Sequence, residues 1–325
     1  MTDARPSPPR PDRRAAALAV AALAVAALLA ACGNGGDSAP ATGAAPAVAS
    51  AAAKAGAAGS GDDDLRCPAK IRTRVEGPDI AGLRLGLSRD EALNLARCAQ
   101  PEAVVADENR FLSGLNTGAM KLGPQQFTVQ SGDTADCKFS SLSDAQACGL
   151  GQRVWKHVAE SVTVATPGVP GRETAVAIWR TQNYRPGEQP AATTVQQALI
   201  DKYGPPQRTQ KYDGNRPWVQ IWWLRDPGGQ PLSEQNPLAG RCPTIQAHAN
   251  VSQSWSEACG LTIAAMLTLA PENPLLVADL SVGMADQARL YAYGTAMQEE
   301  ILALEKQRQE GEAKAAAEGA AAPKL

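Results

Sequence analysis

A pattern that returns after 105 residues constrains this chain more than any other feature. Ser88/Thr193, Glu91/Gln196, Leu95/Ile200, Arg97/Lys202, Pro101/Pro206 and Cys137/Cys242 all stand 105 apart. So do Val162-Thr163-Val164-Ala165 and Leu267-Thr268-Leu269-Ala270, and Ala147-Cys148-Gly149-Leu150 returns as Ala258-Cys259-Gly260-Leu261 six residues further along. Helix starts, stop prolines and cysteines recurring in one order predict a tandem repeat. In the first unit Ser88-Arg89-Asp90-Glu91 is a capping box opening a helix to about Cys98, which Pro101 ends. In the second, Thr193-Thr194-Val195-Gln196 opens a helix with the same chemistry, and Gly204-Pro205-Pro206 stops it after Tyr203.

Leu83, Leu85 and Leu87 alternate, which predicts a short strand before the first helix. Apolar, β-rich stretches at 125–130, 153–165 and 173–182, and again at 217–225, 261–270 and 275–283, add about three strands to each unit. Turns at 166–171, 226–229 and 271–274 separate some of them. The expected fold class is therefore α+β: two tandem repeats, each a helix packed on an antiparallel sheet of about three strands. Repeat 1 covers 65–190 and repeat 2 covers 191–284. A C-terminal helix follows within 285–325, with Leu290, Met297, Ile301 and Leu304 on one side, before a disordered tail.

The N-terminus reads differently. Arg10, Arg13 and Arg14 precede an apolar run from Ala15 to Ala31, and small residues lead up to Cys32. A charged segment, an apolar segment and a small-residue cut site describe a secretory signal peptide over 1–31. Leu29-Ala30-Ala31-Cys32 resembles the lipobox of bacterial lipoproteins. The resemblance implies that Cys32 is acylated (a palmitate-bearing lipid anchor) and becomes the first mature residue. Gly33, rather than Asp, following Cys32 implies sorting to the outer membrane of a Gram-negative cell. The periplasmic face is the default, with the cell surface as the other option. Residues 32–64, rich in Ala, Gly, Ser and Pro and ending in Asp62-Asp63-Asp64, lack apolar surface to bury and predict a flexible linker. The 32 residues after Cys32 would reach about 30 Å.

Losing residues 1–31 takes away Asp3, Asp12, Arg5, Arg10, Arg13 and Arg14, leaving 27 basic against 31 acidic residues, a net charge near −4. That balance provides no broad basic field for nucleic acid or an anionic membrane surface. With Cys32 assigned to lipid, six cysteines remain, an even number that reads as disulfides in an oxidising compartment. Six allow fifteen pairings. Proximity favours Cys137–Cys148 and Cys242–Cys259, leaving Cys67–Cys98 by elimination. No CxxC occurs and His157 and His248 are the only histidines, so neither a metal site nor a cofactor is expected.

Two groups of residues are functional candidates. Trp218, Trp222 and Trp223 sit in one apolar strand, with Trp218 and Trp222 on one face and Trp223 on the other. They form either core filling or an aromatic patch that binds protein or a glycan. His157 near Ser161 and His248 near Ser252 are candidate base–nucleophile pairs, but no G-x-S-x-G, P-loop, G-x-G-x-x-G or H-E-x-x-H frames them. No catalytic residue is assigned.

Val195 to Leu199, Gly204-Pro205 and Trp218 to Trp223 are together similar to the small domain of SmpA/OmlA (BamE-like) outer-membrane lipoproteins. Gly86-Leu87-Ser88 with Glu91 is similar to that family's Gly-Met-Thr helix start. Two α/β units with local disulfides also resemble β-lactamase inhibitor proteins. These likenesses imply a non-catalytic, outer-membrane-anchored lipoprotein that acts as a protein-interaction or scaffold module. Its partners would be the bilayer, through acylated Cys32, and an envelope protein, with no nucleic acid. The alternative is an inhibitor of a periplasmic enzyme; a hydrolase using either histidine ranks third.

Overall fold

The computed structural model describes residues 67–100, 103–108, 117–135, 154–249 and 255–319. Cys32, the linker, the pair Cys137 and Cys148, and Ser252 lie outside them.

Helix α1 spans Arg89–Ala99 and opens on the expected capping box. The Ser88 hydroxyl accepts from the Glu91 amide at 3.4 Å, and the Glu91 carboxylate accepts from the Ser88 amide at 3.3 Å. Helix α2, Ala192–Tyr203, departs from the expectation. Its N-cap is Ala191 with no side-chain bond, so Thr193 lies inside the first turn rather than capping it. Its end matches the reading of Gly204-Pro205-Pro206: Gly204 takes φ +85°, a left-handed value suited to glycine, and its amide donates to the Ile200 carbonyl at 2.8 Å. The Leu83–Leu87 stretch is not a strand. It holds an Ile80–Leu83 bridge, a turn through Gly86 (φ +92°) and two backbone hydrogen bonds to Ala175, and it buries Leu83 and Leu87.

The strands among the described residues are β1 (Val104–Glu108), β2 (Gln126–Thr134), β3 (Trp155–Ala165), β4 (Ala177–Asn183), β5 (Arg208–Tyr212), β6 (Trp218–Leu224), β7 (Leu261–Ala270) and β8 (Asn273–Asp286). All eight belong to one antiparallel sheet in the order β1-β2-β3-β4-β8-β7-β6-β5. This corrects the expectation of two repeats, each a helix on its own three-stranded sheet. Two causes are visible. The edge strands β1 (Val-Val-Ala-Asp-Glu) and β5 (Arg-Thr-Gln-Lys-Tyr) are short and largely exposed, so neither carries an apolar alternation that betrays a strand. At the centre, β4 pairs with β8 from Ala177↔Ala285 to Asn183↔Asp279, fusing what would have been two sheets. That pairing joins residues about 100 positions apart, and no local periodicity encodes it.

The sheet's first face carries α1, α2 and the segment before α1. Phe127, Val129, Val162, Val164, Ile178, Val219, Ile221, Trp223, Ile263 and Met284 form its core with Ala92, Ala96, Val195 and Leu199 from the helices. The second face meets the connection from Arg225 to Gly260 and the start of helix α3, Gln287–Gly319. Leu290, Met297 and Ile301 are buried and Leu304 is partly buried. The helix continues through Gly311 and, at 33 residues, is about 50 Å long. Tyr293 donates to the Pro167 carbonyl at 2.7 Å, and Arg172 pairs with Glu300, tying α3 to the β3–β4 connection. No described helix is long and apolar enough to cross a membrane.

Candidate binding face

Antiparallel register decides which side chains share the second face, because alternate residues on each strand point the same way. One row crosses seven strands: Gln130, Ser161, Thr181, Ser281, Met266, Gln220 and Gln210. A flanking row runs Asn183, Asp279, Thr268, Trp218 and Tyr212. Hydroxyls and amides dominate both rows, and parts of them are cross-linked. Thr181 and Ser281 hydroxyls lie 3.0 Å apart and Thr268 donates to Asp279 at 2.8 Å, while in a neighbouring row of the same face the Thr128 and Thr163 hydroxyls are also 3.0 Å apart. Burial pushes the Asp279 carboxyl up, against the Thr268 hydrogen bond and the nearby His248 charge.

A strap crosses this face. Cys242 and Cys259 are disulfide-bonded, and between them Ile245 packs on Ala165, Ala177, Trp179 and Ala285. The Trp179 indole donates to the Gln246 carbonyl at 3.2 Å. A Cβ at Gly283 would fall 2.4 Å from that same carbonyl oxygen, so only glycine lets the strap lie this close. Gln287, fully buried, ties the strap to α3. It accepts from Thr244 at 3.0 Å and from the Ser256 amide at 3.3 Å, and donates to the Cys242 carbonyl at 2.7 Å and to Thr262 at 2.9 Å.

Two polar areas flank the strap. On the β1–β3 side, Glu108, Gln126, Thr128, Gln130, Ser161 and Thr163 line a pocket of about 370 Å³ with Ala249 of the strap. On the other side, Tyr212, 51 % exposed, stacks on Trp218 with ring centres 5.8 Å apart beside Gln210 and Gln220. Such a surface can bind by hydrogen bonds and aromatic contact. Among the described residues, no three His, Cys, Asp or Glu side chains gather as a metal set.

No known family model, curated protein or solved structure matches this chain. The reading of its surface therefore rests on its own geometry.

The three candidate tryptophans part company. Trp222 and Trp223 are only 5 % and 3 % exposed and point to opposite faces of β6. Trp223 donates to the Gly204 carbonyl at 2.7 Å and its ring lies 5.3 Å from Tyr203, so it locks the end of α2 to the sheet. Burial pushes the Tyr203 phenol up, with the Asp79 charge adding to the rise. Trp222 lies beside the Cys242–Cys259 bridge with the Arg208 guanidinium 5.3 Å over its ring. Its indole N–H is buried without a hydrogen-bond partner among the described residues. Of the three, only Trp218 keeps appreciable exposure. The three-tryptophan patch is thus replaced by a Trp218–Tyr212 pair. Tyr212 was missed because β5 was missed, although the alternation Arg208, Gln210, Tyr212 does place these residues on one face.

His157 and Ser161 occupy the same strand four residues apart, about 13 Å along an extended backbone, and cannot share a proton directly. His248 sits near Asp279 on the strap, while Ser252 falls outside the described residues. The Cys67–Cys98 bridge, with Cα atoms 5.6 Å apart, fastens the N-terminal segment to α1. The Cys137–Cys148 pairing lies outside the described residues.

Proposed function

We propose that this protein is an outer-membrane-anchored lipoprotein that works by binding an envelope protein rather than by catalysis. The observation that carries the proposal is the run from Arg10 to Cys32, a basic and apolar leader ending in Leu-Ala-Ala-Cys. The disulfides Cys67–Cys98 and Cys242–Cys259 support it, since such bridges persist in oxidising compartments. The likeness of the Gly86–Glu91 and Val195–Trp223 motifs to SmpA/OmlA lipoproteins points the same way. The parts of the second face left open on either side of the strap, rich in hydroxyls and amides and including the Tyr212–Trp218 pair, are the surface offered to the partner.

Intact-mass analysis of protein extracted from cell envelopes tests the anchor. The expected species begins at an acylated Cys32; an unmodified Cys32 refutes the anchoring. A photo-crosslinking residue at Gln220 in the living cell tests the surface, with Glu257 as a control position. A specific adduct at Gln220 alone is the expected result, and no adduct at either position refutes the assigned face. If the captured partner is a periplasmic enzyme held one to one, the inhibitor reading replaces the scaffold.

A further inference from the structure

The segment between the Cys67–Cys98 bridge and α1 carries a local charge pattern that the chain's net charge hides. Arg72, Arg74 and Arg84 line one pocket of about 270 Å³, with Val75 and Leu87 in its apolar wall. The segment is held at two points. Cys67 is bonded to Cys98 of α1, and the Arg72 and Thr73 amides donate to one Glu91 carboxylate oxygen at 2.5 and 2.9 Å. The arginines therefore leave a backbone that is already placed.

Two of the neighbouring acids are engaged by other donors, although the Asp79 charge also acts on Arg84. Glu91 is taken up by those amides and by Ser88. Asp79 accepts from Lys202 and from the Gly82 amide. Glu76 is exposed on the same segment. Among the described residues, no acidic side chain pairs with Arg72 or Arg74, and Arg84 donates to the Gly77 carbonyl at 3.2 Å.

We infer that this pocket is an anion site for a phosphoryl group. Three guanidinium forks offer more donors than the two oxygens of a carboxylate accept, whereas a phosphoryl group presents three or four oxygens and a higher charge. The group arrives either on an anionic lipid headgroup or as free phosphate. The headgroup source rests on the anchoring proposed above, because the linker leads directly into this segment. The pocket itself does not depend on it.

The test uses the full mature chain carrying Cys32→Ser, so that acylation cannot mask binding. Calorimetry with inorganic phosphate reads the pocket, and flotation with vesicles of phosphatidylcholine, alone or with an equal part of phosphatidylglycerol, reads the source. The double variant Arg72→Gln/Arg74→Gln removes two exposed side chains and is expected to keep the wild-type melting temperature while weakening phosphate binding about tenfold or more. Arg84→Gln is a second variant, checked by circular dichroism because Arg84 also braces Gly77. Flotation only with the anionic vesicles supports a headgroup, and phosphate binding without flotation supports a soluble phosphate. Binding of neither probe, or equal binding by the double variant and the wild type, overturns the site. An unacylated native Cys32 would refute the anchor alone.

Discussion

Helices α1 and α2 lie on the same face of one sheet, each ahead of four strands, yet α1 is secured at both ends and α2 at its end alone. α1 is held at its start by the Ser88–Glu91 box and by the two amides of the preceding segment on Glu91, and near its end by the Cys67–Cys98 bridge. α2 has no side-chain cap at its start and is held from its end, where Gly204 turns the chain and offers its carbonyl to Trp223. Equivalent places in a topology therefore need not share a stabilising device. What they share is the sheet beneath them, whose apolar side chains pack against both.

That contrast can be broken from either side. The largest effect is expected at α2: Trp223→Ala removes a buried ring and the bond to Gly204, and should destabilise by about 3–5 kcal/mol in urea unfolding. A loss below about 1 kcal/mol would mean that α2 is secured elsewhere. Next is the α1 bridge. Replacing Cys67 and Cys98 by Ser opens a loop of sequence separation 31 and should cost about 3 kcal/mol, checked by the same titration.

Smaller, but more diagnostic, is the pair Ser88→Ala and Thr193→Ala. The first removes a cap and should cost about 1 kcal/mol, while the second should fall within about 0.5 kcal/mol of wild type. Equal costs would restore the matching caps that the 105-residue offset suggests.

The effect that varies with pH belongs to Glu91. Burial pushes its carboxyl up, but the hydrogen bonds from Thr73, Arg72 and Ser88 outweigh burial and bring it down to about 2, below its ordinary 4.5. The folded state thus holds the charged form more strongly than the unfolded chain does. Its stabilising contribution is complete above pH 4.5 and is lost as pH falls toward 2. Wild type should exceed Glu91→Gln in stability at pH 7, with the gap closing below pH 4.5; a gap constant with pH would exclude this linkage.

Much of the element list was legible because its signals are local. The Ser88 box, the Gly204-Pro205-Pro206 stop and six of the eight strands follow from side chains within a few positions of one another. The candidate face was legible only in part. Trp218 lies on it, but Trp222 and Trp223 are equally aromatic in the same strand and are buried by the Cys242–Cys259 strap and by α2, neither of which a strand's own residues report. Tyr212 belongs to an edge strand whose charged, exposed residues resemble a loop. The arginine pocket was masked for another reason: a net charge averages over the chain, whereas Arg72, Arg74 and Arg84 act together only where the backbone folds between them.

By itself, the sequence determined the start of α1 at its capping box, the end of α2 at Gly204-Pro205-Pro206, and the apolar faces. Tertiary structure alone decided that β4 and β8 join two groups of strands into one sheet, and which tryptophans are core. The physical reason is range. Capping and periodicity act over three or four residues, while the seam joins residues about 100 apart and is set by which strand edges pair.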